Sequence, residues 1–373
     1  MRILHVHWTA LPVTGGVEVH CAALVGQLTA LGADAMLVSG TRGARVGHRQ
    51  AALELGAACG PADLEALVAR CREADIVHWH NPQWHKPHVT EEAARRLRAR
   101  GWPGRLVYDL HNIDDVPEHW GLLARLADRY VAHSPFVARE VEAHVPGSRV
   151  EVLPLALDRA PRPYELPRAA TRVALQPTRL TTWKGSDLSL RAAVTLLEAG
   201  CDDLAFVHAG TRNLVWPPGI PAELLERVRP WRDRGRIEFV HYEPAQSWRA
   251  IEAADVVLHP TADRGTHGEP FSLSVAQAVI LGRPVVASES GHLPRLLEGY
   301  SLARLVPPGD QEAVTRALAE VGRAGPAEPT AHDRELGARL AEEFASSGVR
   351  HLAHYGAAPP EPPPADLLPE SRR

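Results

Sequence analysis

Short apolar runs alternate with longer helix-like segments along most of the chain. The apolar runs predict strands at residues 2–6, 35–39, 75–80, 105–110, 128–133 and 150–154, and again at 172–176, 204–208, 237–240, 255–259, 284–287 and 303–306. The helix-like segments predict helices at residues 16–31, 62–72, 186–198, 222–232, 246–252, 270–281, 311–321 and 334–344. Short runs rich in Val, Ile and Leu are typical of strands covered on both faces. The ordered alternation therefore predicts parallel sheets of the doubly wound α/β class.

A proline-rich stretch at residues 154–167 interrupts this alternation, which then begins again. Closely spaced prolines cannot continue a helix or a central strand, so the stretch is interpreted as an interdomain linker. The sequence predicts an N-terminal Rossmann-like domain at residues 1–155, a linker at 156–170 and a C-terminal Rossmann-like domain at 171–330. A C-terminal helix is predicted at 331–356, where it could pack back on the N-terminal domain, and a disordered Pro-rich tail is predicted at 357–373. Ligands bind beyond the carboxyl ends of strands in such sheets, so the cleft between the domains is the expected site.

Composition narrows the class without identifying a ligand. The chain has 373 residues, 45% hydrophobic and 23% charged, and a net charge of −4, which is ordinary for globular proteins and does not favour nucleic acid. No apolar run approaches the roughly 20 residues that span a bilayer, and the N-terminus lacks the pattern of a signal peptide. The cysteines are scattered without a C-x-x-C pair, so they are interpreted as reduced thiols of a cytoplasmic protein.

The segment from Glu269 to Gln277 is the first candidate for chemistry. A carboxylate precedes Pro270, which favours the first turn of a helix, and an apolar run follows. The free N–H groups of such a helix start are suited to phosphate, and Gln277 would lie about 12 Å further along the helix. The two polar side chains could then hold the ends of a nucleotide-sugar. The alternative is an ordinary core helix whose carboxylate complements the helix dipole.

Two loops offer further anion-binding groups. Arg179 and Lys184 lie on a loop after the first strand of the second domain, from which both cations can reach one phosphate. Gly15 and Gly16 lie between the first strand and the first helix, where glycine lets the backbone approach a ligand. A solvated loop and a tight turn are the respective alternatives.

Histidines and aromatic residues mark the ends of two strands in the N-terminal half. His111 follows a strand and could bond a hydroxyl of a reacting sugar, although a lone histidine is more often structural. The group His78, His80, His85 and His88 suggests a metal site by spacing, but no carboxylate or cysteine is interleaved. We prefer an acceptor-binding surface there, formed by His80, Asn81, Trp84 and Asn112. The arginines at positions 95–105 are interpreted as a solvated helix face, with contact to membrane headgroups left open.

Taken in order, these segments resemble glycosyltransferase family 4, whose members are retaining enzymes with the GT-B fold of two Rossmann-like domains facing a cleft. The resemblance covers residues 2–321. Gly15-Gly16 resembles the family's glycine loop, Arg179 and Lys184 its diphosphate-binding pair, and the segment from Glu269 to Gln277 its E-x7-E motif. His111 stands where the family often has an active-site histidine. Residues 281–288 and 306–310 resemble the strand and the V-P-P-G-D turn that follow.

The resemblance implies a mechanism and a set of contacts. The donor would be a nucleotide-diphosphate sugar bound to the C-terminal domain by Pro270, Phe271, Ser272, Leu273 and Gln277, together with the glycine loop, Arg179, Lys184 and Glu269. Glu269 would hold the donor sugar, while Arg179, Lys184 and backbone amides neutralise the leaving diphosphate. An acceptor hydroxyl, for example on an aminocyclitol-like natural product or a glycan, would attack with retention. No metal and no other cofactor is expected.

The sequence departs from the family pattern at three positions, and two other functions stay open. Gln277 replaces the second glutamate, Ser272 a usual glycine, and Leu155 a common asparagine. A Gln amide can bond ribose hydroxyls but carries no charge, so donor binding could be weaker. The alternatives are a nucleotide-sugar 2-epimerase of the same fold and a non-catalytic nucleotide-sugar-binding subunit. Hydride transfer is disfavoured because the chain lacks the G-x-G-x-x-G pattern.

Overall fold

A computed structural model describes residues 1–11, 15–40, 50–52, 60–82, 87–113, 126–158, 161–209, 220–262, 268–324 and 327–356. Trp84 and His85, on which the acceptor and metal hypotheses partly rest, lie outside these residues. The tail at 357–373, for which the sequence predicts disorder, also lies outside them.

The N-terminal half forms a seven-stranded parallel sheet in the order β3-β2-β1-β4-β5-β6-β7. Its strands are β1 (Arg2–His7), β2 (Asp34–Ser39), β3 (Gln50–Ala52), β4 (Ile76–His80), β5 (Arg105–Leu110), β6 (Arg129–Ala132) and β7 (Val150–Val152). The central strands β1, β4 and β5 are buried along almost their whole length. Apolar residues on both faces explain this burial, because helices cover the sheet on both sides.

The C-terminal half repeats the architecture with six parallel strands in the order β10-β9-β8-β11-β12-β13. These strands are β8 (Arg172–Gln176), β9 (Leu204–Ala209), β10 (Ile237–Val240), β11 (Val256–His259), β12 (Val285–Ser288) and β13 (Ala303–Val306). Two apolar clusters again cover opposite faces of the sheet. The chain thus has the GT-B fold, with two doubly wound Rossmann-like units in series.

Helices connect the strands and then cross between the two halves. Their bounds are Gly16–Ala30, Pro61–Arg72, Pro87–Ala99, Pro135–His144, Ser186–Glu198, Ala222–Asp233, Ser247–Ala253, Leu273–Ile280, Leu293–Leu296, Gln311–Ala324, Ala331–Ala345 and Ser347–His354. Helix Ala331–Ala345 packs on Leu273–Ile280 of the C-terminal half, whereas Ser347–His354 packs on Gly16–Ala30 of the N-terminal half. In the described part of the chain, no helix combines the length and the apolar character needed to cross a bilayer.

One predicted element differs in a way that changes the site. The helix predicted at residues 270–281 begins only at Leu273, and Ser272 is its N-cap. The Ser272 hydroxyl accepts the Val275 N–H, which is the usual role of serine at this position. The prediction that Pro270 occupies the first turn is therefore wrong, because the serine three residues before Val275 sets the start instead.

Candidate functional site

A buried ion pair joins two loops that leave the carboxyl edge of the C-terminal sheet. Lys184 ends a short 3-10 turn (Thr182–Lys184) after β8, and Glu269 lies in the segment that follows β11. The Lys184 Nζ donates to Glu269 Oε2. The two side chains are only 13% and 3% exposed, so water screens their charges weakly. The sequence-predicted cation and carboxylate are thus brought into direct contact.

Two glycines make this close approach of loops feasible. Gly185 adopts a φ of 69°, and a Cβ at this position would lie 1.8 Å from the Pro260 carbonyl oxygen. Gly291 adopts a φ of 57°, and its Cβ would lie 2.2 Å from the Glu269 carbonyl oxygen. Any side chain there would force the loops apart, so both positions require the left-handed conformation and the small size of glycine.

Glu269 is held as a carboxylate by a set of neighbours that includes a histidine missed from sequence. His259 Nε2 lies 3.1 Å and Thr261 Oγ1 3.5 Å from Oε2. The Glu269 N–H donates to Ser290 Oγ at 3.0 Å, which fixes the backbone. Burial alone would raise the pKa of Glu269, but the Lys184 charge and the His259 hydrogen bond lower it to about 2. His259 ends β11, ten residues before Glu269, and the strand pattern alone did not indicate that its ring would lie beside the carboxylate.

A second cation, Arg179, lies near Lys184. Burial lowers the pKa of Lys184, Glu269 opposes that effect, and the charge of Arg179 adds to the lowering. Arg179 is exposed on the same loop. The Lys184 Nζ also lies 4.0 Å from the centroid of the Trp183 ring, a cation–π contact. Two positive groups therefore share one loop, as the sequence predicts.

The helix near Glu269 begins three residues later than predicted, so its free amides belong to later residues. Because Ser272 takes the Val275 N–H, the amides of Leu273 and Ser274 are the ones that such a helix start offers to an anion. Gln277 is buried on the same helix, and its Nε2 donates to Ser247 Oγ at 2.9 Å. Glu269 and Gln277 therefore do not lie along one continuous helix as predicted.

The N-terminal half meets this segment at two points. Ser134 Oγ donates to the Pro270 carbonyl at 2.8 Å, and a Cβ on Gly16 would lie 3.8 Å from Leu273 Cδ1. Ser134 caps helix Pro135–His144 after β6. The glycine turn at Gly15-Gly16 and the end of β6 thus both lie against the segment around Pro270. Sequence reasoning missed Ser134, although a serine followed by proline is a recognisable helix start.

The predicted residues His80, Asn81, His111 and Asn112 of the N-terminal half contact one another. The Asn81 Oδ1 accepts the N–H groups of His111 and Asn112 at 2.9 and 3.2 Å. His80 is fully buried, and its Nδ1 lies 3.0 Å from His111 Nε2. The His80, Asn81 and His111 side chains are buried in a polar layer, whereas Asn112 is partly exposed, and the acceptor surface stays a prediction.

A cavity of about 480 Å³ lies between the halves, and neither Lys184 nor Glu269 lines it. Residues from both halves line it, among them His133, Leu153, Phe271, His292, Arg339 and Arg350. We assign the candidate site to the ion pair instead, because the convergent charged groups are there. The cavity adjoins that site through Phe271, two residues after Glu269.

Two family models match the chain, one in each half. Residues 14–160 match the model described as Glycosyltransferase Family 4, and residues 171–323 match the one described as Glycosyl transferases group 1. The amylovoran biosynthesis glycosyltransferase AmsK of Erwinia amylovora is 29% identical over 149 residues, 39% of this chain and 34% of that protein. D-inositol 3-phosphate glycosyltransferase of Corynebacterium diphtheriae is 31% identical over 129 residues, 33% of this chain and 28% of that protein. The alignments thus span about a third of these relatives' lengths.

Solved structures of the same fold extend over nearly the whole chain. Anabaena Alr3699/HepE, solved in complex with UDP and glucose, superposes with a TM-score of 0.74 at 18% identity, over 95% of this chain and 98% of that one. Sucrose-phosphate synthase of Thermosynechococcus elongatus superposes with a TM-score of 0.70 at 16% identity, over 95% and 98% of the two chains. At these identities the superpositions establish the fold.

Proposed function

We propose that this chain, which belongs to the family 4 glycosyltransferases, transfers a sugar from a nucleotide-diphosphate sugar to an acceptor hydroxyl with retention of configuration. The observation that carries the proposal is the shielded contact between Lys184 and Glu269 beside the start of helix Leu273–Ile280. A cation, a carboxylate and free amides at one point match the chemistry of a diphosphate joined to a sugar.

In the proposed mechanism, positive charge is placed where negative charge develops. As the bond from the anomeric carbon to the diphosphate breaks, Lys184, Arg179 and the amides of Leu273 and Ser274 stabilise the departing phosphate oxygens. Such groups cost little reorganisation, because the loop and the helix cap already hold them. The Glu269 carboxylate accepts hydrogen bonds from donor-sugar hydroxyls, as its low pKa keeps it ionised at neutral pH.

The role predicted for His111 receives less support than that of the ion pair. Its Nε2 lies within 3.3 Å of both His80 and Asp109, so this nitrogen is committed to the buried polar layer. Gln277 likewise bonds Ser247, which supports a weaker ribose contact than a glutamate would give. The proposal therefore rests on Lys184, Arg179 and Glu269.

The names of similar proteins suggest which substrates to test first. Alr3699/HepE has been solved with UDP-glucose, which makes UDP-glucose the first donor to assay. One relative is named for D-inositol 3-phosphate and another for amylovoran, so a phosphorylated cyclitol and a glycan are the first acceptors to assay. An aminocyclitol belongs in the same panel.

The decisive experiment compares Lys184→Met and Glu269→Gln with the wild-type protein for UDP release from UDP-glucose in the presence of the acceptor panel. We expect kcat to fall by about 10²–10³ in each variant, the magnitude typical of one lost charge-stabilising contact. Arg249→Met serves as the control, because Arg249 lies on helix Ser247–Ala253 and pairs with Glu252 at the surface. Unchanged transfer in both site variants would overturn the assignment.

Incubation of donor without acceptor separates the alternatives. Release of a free epimer would identify a 2-epimerase, and donor binding without turnover on any acceptor would identify a binding subunit. The proposed transferase requires the acceptor for rapid donor consumption.

A further inference from the structure

A dense group of histidines surrounds one buried aspartate under the carboxyl edge of the N-terminal sheet. We call this group the histidine cluster, and its members are His5, His7, His20, His78, His80, His111, His133, His351 and Asp109. Asp109, near the end of β5, is fully buried. The proposed transfer reaction uses none of its members apart from the predicted His111, so the cluster requires an explanation of its own.

Four imidazole nitrogens converge on the Asp109 carboxylate. His78 Nε2 and His80 Nδ1 each lie 3.1 Å from Oδ2, and His111 Nε2 lies 3.3 Å from it. His133 Nε2 lies 2.9 Å from Oδ1. The sheet order explains the convergence, because β4, β5 and β6 are neighbours and end at the same edge.

The spacing of three of these atoms fits a metal ion. The distances among His80 Nδ1, His111 Nε2 and Asp109 Oδ2 are 3.0, 3.1 and 3.3 Å. Ligand atoms about 2.0–2.1 Å from a tetrahedral zinc ion are separated by roughly 3.3 Å. The three donor atoms therefore already lie at nearly the separation that a tetrahedral ion would impose.

Hydrogen bonds at the far nitrogens decide which histidine completes the set. His133 Nδ1 lies 2.8 Å from the Leu153 carbonyl oxygen, so it carries the proton and leaves Nε2 as a lone pair. That lone pair faces a carboxylate oxygen, which is unfavourable unless a proton or a metal lies between them. His20 shows the opposite pattern, since its Nδ1 accepts the Ala156 N–H. A neutral His20 therefore carries its proton on Nε2, which excludes that nitrogen as a ligand.

The remaining neighbours behave as outer partners. His80 Nε2 lies 3.0 Å from His5 Nδ1, so His5 can orient the His80 ring. His78 Nε2 can donate to Asp109, while its Nδ1 accepts from the Tyr355 hydroxyl.

We propose that His80, Asp109, His111 and His133 bind one divalent transition-metal ion of the zinc class. The four ligands are buried or nearly so, and they leave no position for water, so the site is structural rather than catalytic. The ion ties the ends of β4, β5 and β6 together next to Ser134, whose hydroxyl bonds the Pro270 carbonyl. In this proposal, His111 Nε2 binds the ion and does not contact the donor sugar. This inference does not depend on the proposed transferase activity.

The alternative is a metal-free network in which a hydrogen bond joins His133 Nε2 and Asp109. The two interpretations differ in metal content, which can be measured directly. Untagged full-length protein is stripped with a chelator, dialysed and titrated with Zn²⁺ or Co²⁺, and bound metal is counted by mass spectrometry. The visible spectrum of the Co²⁺ form reports the coordination geometry.

We expect one ion per chain, an intense visible Co²⁺ band typical of a tetrahedral site, and a melting temperature that rises when metal is restored. Asp109→Asn and His80→Gln should each lower the stoichiometry well below one, whereas His144→Gln, at an exposed helix end, should bind as the wild type does. Should either cluster variant fail to fold, the wild-type Co²⁺ spectrum decides. A wild-type protein that binds no Co²⁺, or an Asp109→Asn variant with its full metal content, overturns the proposal.

Discussion

Removal of the Lys184 charge is the perturbation whose effect follows most directly from the structure. Lys184→Met leaves the Glu269 carboxylate buried, with His259 and Thr261 as its close side-chain partners among the residues that the structure describes. An uncompensated charge of this kind typically costs about 3–5 kcal/mol. The pKa of Glu269 gives a similar magnitude, since its lowering from 4.5 to about 2 corresponds to about 3 kcal/mol.

The ion pair stabilises the folded protein by less than the free energy lost when Lys184 alone is removed. Burial lowers the pKa of Lys184, which means that the buried ammonium is itself held at an energetic cost. The pKa shift of Glu269 indicates a stabilising ion pair, whereas the pKa shift of Lys184 indicates a destabilising one. A double-mutant cycle measures the coupling energy between the two side chains directly. We expect Lys184→Met together with Glu269→Leu to be more stable than Lys184→Met alone, with a coupling energy on the order of 2 kcal/mol.

The dependence on pH has a definite sign. Because the pKa of Glu269 is lowered in the folded state, its stabilisation is present above about pH 4.5 and is lost as the pH falls from 4.5 towards 2. The difference between wild type and Lys184→Met should thus shrink on acidification. Urea unfolding followed by tryptophan fluorescence and circular dichroism at pH 7 and at pH 4 measures it. Equal stability at pH 7, or strict additivity in the cycle, would refute the reasoning.

Three further substitutions test how the site is built. Ser134→Ala removes the hydrogen bond to the Pro270 carbonyl. It should lower the free energy of unfolding in urea by about 1 kcal/mol and raise the KM for the donor. An unchanged KM would show that this contact with the N-terminal half does not affect donor binding. Gly185→Ala places a Cβ against a backbone carbonyl at a φ of 69° and should abolish donor binding in calorimetry, so wild-type affinity would argue against this loop geometry. Gln277→Ala should lower stability by about 1 kcal/mol through loss of the Ser247 contact and leave donor affinity within twofold, because its ribose contact is weak; a large loss of affinity would contradict this.

The sheets were predictable because strand and helix periodicities are local properties of the sequence. The start of the helix near Glu269 was not predictable in this way, because a tertiary contact and a local cap together override the preference of proline for a first turn. The Pro270 carbonyl accepts a bond from Ser134 in the other half, and Ser272 caps the helix instead. Helix Pro135–His144 was absent from the prediction, and the single C-terminal helix predicted at residues 331–356 is divided into Ala331–Ala345 and Ser347–His354.

The ion pair and the histidine cluster also differ in how far they could be predicted from local sequence. Lys184 and Glu269 could be chosen individually as candidates because each stands in a recognisable local motif. The convergence on Asp109 could not, because the carboxylate missing between His78 and His80 comes from the neighbouring strand β5. Which strands are neighbours in a parallel sheet depends on the crossover order, which periodicity does not specify.

A crystal structure with bound UDP tests the central claim most directly. The account predicts phosphate oxygens within about 3 Å of the Lys184 Nζ and of the amides of Leu273 and Ser274. UDP bound elsewhere, for example in the cavity lined by Arg339 and Arg350, with the Lys184–Glu269 pair untouched, would contradict it.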